Sequence, residues 1–332
     1  MKPLVQVSND QSALFGALPA EVSSLRNGSI CAANDANFDQ SFLSQPLTEY
    51  IVGQEDKEDL FTLLQRAAPG IPVARAFTYR THDSKENFQS DDADDGDIRE
   101  LGGDFKQVRQ TGAQVDGRTD NKGLTMVIDV DQGGLDANVQ QRAATNLRQR
   151  LARSELARLI TLLDANDSAE SSVNWGSSNT TADPDADVLS MLENSGDARG
   201  IDSNIVLFGG AWIRRLLAHR RSNTPGGYAS SAMSDMQLAE LYNVDNVVKL
   251  RNRKQSTASA KAKILTNDVY CYYVSPGGTQ EDPSNVKRFV TGGSLQVYVE
   301  QRLKKVLISV EHYSRLVCTS SVGIRKLPTT FT

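Results

Sequence analysis

Apolar residues recur at every fourth position over one long stretch: Leu135, Val139, Ala143, Leu147 and Leu151, continued after a small shift by Leu156, Leu159, Ile160 and Leu163. No Gly or Pro interrupts Asp136 to Asn166. The spacing predicts one amphipathic helix of about 31 residues, about 46 Å long at 1.5 Å per residue. That is well beyond the ordinary helix of a globular domain. Leu147 and Leu151 are expected at the centre of its buried stripe. Its polar face carries Arg142, Arg148, Arg150, Arg153 and Arg158 against few acids. Such a row is expected to be solvated, to face another subunit, or to meet phosphates.

Around this helix the periods are shorter. "VARAFTYRT" (73–81) and "FKQVRQTGAQVD" (105–116) alternate in places, as the strands of a long two-stranded arm would. "LTMVIDVD" (124–131) reads as a further strand, ended by Gly133-Gly134. "EDKEDLFTLLQRAA" (55–68) predicts a short amphipathic helix stopped by "PGIP". Asp183-Pro184 opens another, running to about Asn194, because Asp caps a helix and Pro suits its first position. "IVLFGGAWIRRLLAH" (205–219) reads as strand, tight turn, helix, and "MSDMQLAELYNV" (233–244) as a short helix capped by Ser234. "NVVKLRN" and "AKILTNDVYCYYV" are expected strands, and "LQVYVEQ" and "KVLISVEHYSRLVC" alternate in a β-rich end. Residues 1–54 are polar and without a clear period, and read as an arm that runs over a surface or a partner.

Composition adds limits. The 332 residues can bury one large core or two to three modest ones. Values of 39% hydrophobic and 23% charged residues are ordinary for a globular protein. No apolar run is long enough to span a membrane, and the start shows no apolar secretory segment. Cys31, Cys271 and Cys318 are far apart and form no CxxC pair, so neither a zinc knuckle nor a disulfide framework is expected, and a reducing compartment fits best. The net charge of −5 is uneven: Asp83 to Glu100 holds eight acids against two bases, a local −6 that leaves the rest near neutral at +1. Composition therefore predicts no basic face able to grip nucleic acid tightly.

The chemical motifs fail one by one. Gly209-Gly210 is followed by Ala, Trp, Ile and Arg, without the Lys-Ser/Thr of a phosphate loop or the G-x-G-x-x-G of a dinucleotide fold. Bulky Trp212 stands where a backbone would have to approach a pyrophosphate, so a purely structural turn is expected. "DDADDGD" (91–97) resembles a calcium loop, but aligning Gly96 with the sixth position puts Ala93 at a ligand position and Gly102 where a Glu is needed. His82, His219 and His312 show no metal-binding spacing, and no GxSxG elbow exists. No catalytic group, cofactor or metal is expected.

Taken in order, the elements resemble the major capsid proteins of tailed bacteriophages, the Hong Kong 97-type fold. The resemblance lies in an extended hairpin (71–131), a long helix beginning "LDANVQQRAATNLRQRLARSELARLI", "VNWGSS" followed by Asp183-Pro184 and a helix, "IDSNIVLFGGAWIRRLLAH", "QLAELYNVDNVVKLRN", "AKILTNDVYCYYVSP" and a β-rich C-terminus. It implies an α+β fold with residues 1–70 as N-terminal arm, 71–131 as extended loop, 132–170 as spine helix of the peripheral domain, 171–275 as axial domain and 276–332 as a β-rich return to the peripheral domain. It also implies self-association into pentamers and hexamers that enclose double-stranded DNA, in a virion assembled in the host cytoplasm. Scaffolding, portal and cement proteins would be partners, DNA would be met by non-specific contact, and no membrane would be involved. Arg75, Phe77, Tyr79, Phe105, Lys106 and Arg109 would make intersubunit contacts in the loop. Arg142, Arg150 and Arg153 would face the interior or another subunit, and Gly209, Gly210 and Trp212 would form the axial-domain turn. Nothing flanking Lys85 or Lys106 supports a covalent cross-link between subunits. Two other readings remain: a nanocompartment shell of the same fold, and a soluble α/β nucleotide-binding enzyme.

Overall fold

The structure, a computed structural model, describes residues 43–52, 60–83, 99, 101–104, 112–179, 181–221, 233–255, 257 and 259–332. Most of the N-terminal arm, most of the acidic tract, and Phe105, Lys106 and Arg109 lie outside these residues. The chain divides into two compact units. The first comprises the described part of Met1–Gly53 with Leu124–Leu147 and Leu295–Val310; the second comprises the described parts of Gln54–Gly123 and Arg148–Ser294, with Glu311–Thr332.

In the first unit, helix α1 (Gln45–Val52) is tied to a strand by the Ser44 N–H, which donates to the Val297 carbonyl at 2.9 Å. Thr48 Oγ1 accepts from the Val297 N–H at 3.2 Å. Leu47 and Ile51 are buried one helical turn apart, as are Ala143 and Leu147; Val306, Ile308 and Val310 are buried at the two-residue period of a strand facing a core.

The second unit begins with α2 (Leu60–Ala67) and the short strand β1 (Gly70–Pro72). Strands β2 (Ala76–Arg80) and β3 (Gln114–Arg118) pair antiparallel, with Ala76 opposite Arg118 and Arg80 opposite Gln114. Two elements are shared between the units along the chain: strand β4 (Asp120–Asp129), which belongs to the first unit from Leu124 on, and the long helix α3 (Ala137–Asp164), whose residues to Leu147 belong to the first unit and the rest to the second. The 28 residues of α3 span about 42 Å. Asp136 caps α3 by accepting from the Asn138 N–H at 3.0 Å. Its buried residues, Ala143, Ala144, Leu147, Leu151, Ala152, Leu156, Leu159, Ile160 and Leu163, follow the expected spacing. Leu135 does not belong to the stripe: it precedes the helix and is 57% exposed. Arg148 is also displaced from the expected polar face, being buried with its guanidinium 5.6 Å over the Phe61 ring.

A five-stranded sheet forms the centre of this unit. Its order is β5 (Ser168–Ala169), β14 (Arg325–Leu327), β11 (Val269–Tyr272), β7 (Ile205–Phe208), β8 (Asn246–Lys249). β7 runs parallel to β8 and antiparallel to β11, with Phe208 opposite Val269 and Ile205 opposite Tyr272. Both faces are buried, which is why "IVLF" and "VYCY" are continuous apolar runs. Ile205, Leu207, Tyr270 and Tyr272 point into a core with Leu64, Leu156, Leu159 and Leu163. Val206, Phe208, Val269 and Cys271 point into the other, with Trp175, Val188, Met191, Trp212 and Tyr242. Each fully buried Leu, Val or Phe contributes about 1.5–3 kcal/mol to holding these layers together.

Helix α4 (Pro184–Arg199) starts at the predicted cap: Asp183 accepts from the N–H groups of Asp185 and Ala186. It runs five residues past the expected stop at Asn194, because the left-handed cap is Gly200, at φ 77°, and Ser195 is buried against the Gly323 carbonyl. Helices α5 (Ala211–Arg221) and α6 (Asp235–Tyr242) complete this layer. "AKILTNDVYCYYV" is two strands rather than one: β10 (Lys261–Lys263), which pairs with β9 (Arg253–Gln255), and β11.

Candidate functional site

The sequence-predicted residues of the hairpin divide by exposure. Arg75 is exposed, its guanidinium 5.3 Å from the Tyr313 ring. Phe77 and Tyr79, expected on a face between subunits, are instead buried in their own chain. Their ring centroids lie 4.3 and 5.5 Å from that of Phe289. They anchor the base of β2–β3; Ala76 and Thr78, on the opposite face, are exposed.

The Gly209-Gly210 turn is occupied by the chain itself. A Cβ on Gly209 would stand 2.5 Å from Leu265 Cγ, and one on Gly210 2.4 Å from the Thr266 carbonyl oxygen. The Gly209 N–H donates to the Asp268 carbonyl at 3.2 Å, and that of Gly210 to Thr266. Trp212 is buried, edge-on to Phe208, with Lys249 Nζ 3.4 Å from its ring centroid. Both glycines are thus required by close packing.

Beside this turn lies an ion network that the sequence did not reveal. Arg215, on α5 and fully buried, donates from Nε to Asp185 Oδ1 at 2.8 Å and from its terminal nitrogen to Oδ2 at 3.0 Å. Tyr242 O–H donates to the same carboxylate, and His219 Nε2 lies 3.0 Å from it. Burial alone would raise the Asp185 carboxyl, but the hydrogen bonds of His219, Arg215 and Tyr242, with the Arg215 charge, hold it well below the usual carboxylate range.

A second buried cluster surrounds Glu155 on α3. Lys122 Nζ lies 3.0 Å from its Oε1, Ser314 Oγ donates to Oε2 at 3.1 Å, and Arg158 pairs with it one turn along the helix. Arg158 stays on the exposed face of α3, as expected of the arginine row, and reaches Glu155 from there. His312 Nε2 sits 3.0 Å from Ser314 Oγ. Ser, His and Glu together suggest a hydrolytic triad, but Ser314 is fully buried and the carboxylate holds Ser314 and Lys122 rather than orienting the imidazole. Burial pushes the His312 imidazole down to about 4, against the pull of Glu155. Between about pH 6.5 and 4 the unfolded chain takes up this proton and the folded one does not. Stability should thus fall with pH across that window, by about 3 kcal/mol in all from this group. Melting curves at pH 7 and 4.5 check this: His312→Gln should lose less stability between them than the native chain.

The arginine row opens onto a cleft of about 970 Å³ in the second unit. One wall is α3, with Arg150 and Arg153; the other is the β9–β10 hairpin and its approach, with Arg251, Arg253, Lys254 and Lys261. All but Arg153 are exposed, and among the described residues no Asp or Glu lines the cleft. Arg142 is exposed but does not line it. Leu147 and Leu151 are buried, as expected of the helix core. Composition masked this patch, because in the sum over the sequence its charges are offset by the acidic tract Asp83–Glu100. The run "KLRNRK" (249–254) was the signal that could have exposed it. Among the described residues, no group of three or more His, Cys, Asp or Glu could hold a metal, and no helix is long and apolar enough to cross a membrane.

No family model matches the sequence, and no curated protein matches it. Solved structures do. A phage-related protein from Bordetella bronchiseptica is 17% identical, with a TM-score of 0.61 over 86% of this chain and 97% of that one. A virus-like particle from Pyrococcus furiosus is 11% identical, with a TM-score of 0.51 over 85% of this chain and 95% of that one. At these identities the likeness is one of fold, and the α+β fold is the one that the resemblance to phage capsid proteins implied.

Proposed function

We propose that the chain is the structural subunit of an icosahedral phage head, which self-assembles into hexamers and pentamers around a double-stranded DNA genome. One observation carries the reading: the fold is shared with the phage-related protein and the virus-like particle over nearly the whole of those chains. In this reading residues 1–70 are the N-terminal arm, 71–131 the extended loop, 132–170 the spine helix, 171–275 the axial domain and 276–332 the peripheral return. A scaffolding protein, a portal and a cement protein are proposed partners, and the host cytoplasm the place of assembly. The physics suits such a role. A closed shell needs many modest contacts that add by multivalency and close by symmetry. The polar clusters around Asp185 and Glu155 are enclosed and hydrogen-bonded, as structural networks are, rather than open to a substrate.

Electron microscopy of the purified full-length protein tests the proposal. Closed shells with five-fold vertices are expected, subunits running in denaturing gels as one band near 36.2 kDa. A protein that stays monomeric at every concentration would overturn it. Small shells that enclose a protein instead of DNA would favour the nanocompartment reading.

A further inference from the structure

We propose that the cleft between α3 and the β9–β10 hairpin holds backbone phosphates of double-stranded DNA. The inference rests on the shell reading and assigns its nucleic-acid contact to particular residues. Arg150, Arg153, Arg251, Arg253, Lys254 and Lys261 line one cleft without an acid among the lining residues. None of the six makes an ion pair among the described residues, although in the same unit Arg215, Lys122 and Lys287 are paired with Asp185, Glu155 and Asp282. Like charges gathered in this way repel one another until an anion neutralises them.

The shape and chemistry select the anion. The charges come from two elements about 100 residues apart and face one open cleft, which suits a chain of phosphates better than a single small ion. Four of the six are arginines, whose planar forks match phosphate oxygens. Ser154 and Asn252, also in the lining, are further phosphate donors. No aromatic residue lines the cleft among the described residues, so unpaired bases have nothing there to stack on, and a duplex held by its backbone fits better than a single strand. The rival occupant is the acidic segment Asp83–Glu100 of another copy, which carries −6. A docked peptide is held by side-chain pockets as well as charge, and apart from Ala157 the described lining residues offer no apolar seat.

Fluorescence anisotropy of a short mixed-sequence duplex, titrated with the unassembled full-length chain at several salt concentrations, tests this. The triple variant Arg253→Ala, Lys254→Ala, Lys261→Ala should weaken binding about tenfold or more and flatten the log–log salt slope by about 2 to 3. A control removing the same charge from exposed positions elsewhere, Arg220→Ala, Lys304→Ala, Lys305→Ala, should change affinity less than about threefold. Equal losses in the two triples, no duplex binding by the native chain, or tighter binding of an oligo-dT strand would each overturn the assignment. So would a hairpin triple that keeps its DNA affinity but no longer forms particles, since that result gives the cleft to the acidic segment. Because affinity is read on subunits and shells by microscopy, native protein that binds DNA yet never forms shells would sink the shell reading alone.

Discussion

Asp185→Asn should lower the stability of the unassembled subunit by about 3–5 kcal/mol, because it removes the carboxylate paired with the fully buried Arg215 guanidinium. The amide can still accept one hydrogen bond, so the loss isolates the charge rather than the packing. Arg215 is held in its charged form by Asp185 against the opposing effect of burial, and Tyr242 and His219 converge on the same carboxylate. Removing that carboxylate therefore disturbs α4, α5 and α6 together. Thermal denaturation should show a midpoint lower by roughly 10 °C. The double variant Asp185→Leu, Arg215→Met should recover much of the loss, since apolar side chains of similar size can replace a buried pair at little cost. A single variant that melts within a degree or two of the native chain would show that water already screens Arg215.

Periodicity made the fold legible where a residue's partners are repeated along the same element. Ala143, Leu147 and Leu151 announce the buried stripe of α3 by spacing alone, and Asp183-Pro184 announces the start of α4 by local chemistry. What stayed hidden depends on residues far apart in the chain. Arg148 reads as solvated until Phe61 is seen beneath it. The strand 262–274 reads as continuous until the turn at Gly209-Gly210 is found to be filled by Leu265 and Thr266, whose departure from strand geometry separates β10 from β11. Phe77 and Tyr79 alternate as any exposed arm might, and only Phe289, more than 200 residues on, shows them to be an anchor.

The candidate cleft follows the same rule. Arg150 and Arg153 were visible as part of a row, but a row of arginines on a helix is ambiguous. The basic hairpin from Arg251 to Lys261, brought opposite by the fold, turns the row into one wall of a cleft. The total charge of −5 concealed this, since a sum over the chain carries no information about where charges meet.

Leu147→Asp should leave the subunit unable to fold to a soluble form. Leu147 is 1% exposed, and Ala143, Ala144 and Leu151 on the same side of α3 are buried with it. An aspartate there either stays ionised without a partner or takes up a proton, and each outcome costs several kcal/mol, comparable to the whole stability of an ordinary domain. The adjacent Asn146 is exposed, so Asn146→Asp introduces the same side chain one residue away at a cost within about 0.5 kcal/mol. Soluble yield and circular dichroism of the two variants, expressed side by side, separate burial from helix propensity, because both place Asp in the same helix. Insoluble Leu147→Asp beside native-like Asn146→Asp is the expected pair. Two soluble, equally helical variants would mean that position 147 meets water, and the helix would then lack the buried stripe on which its register depends.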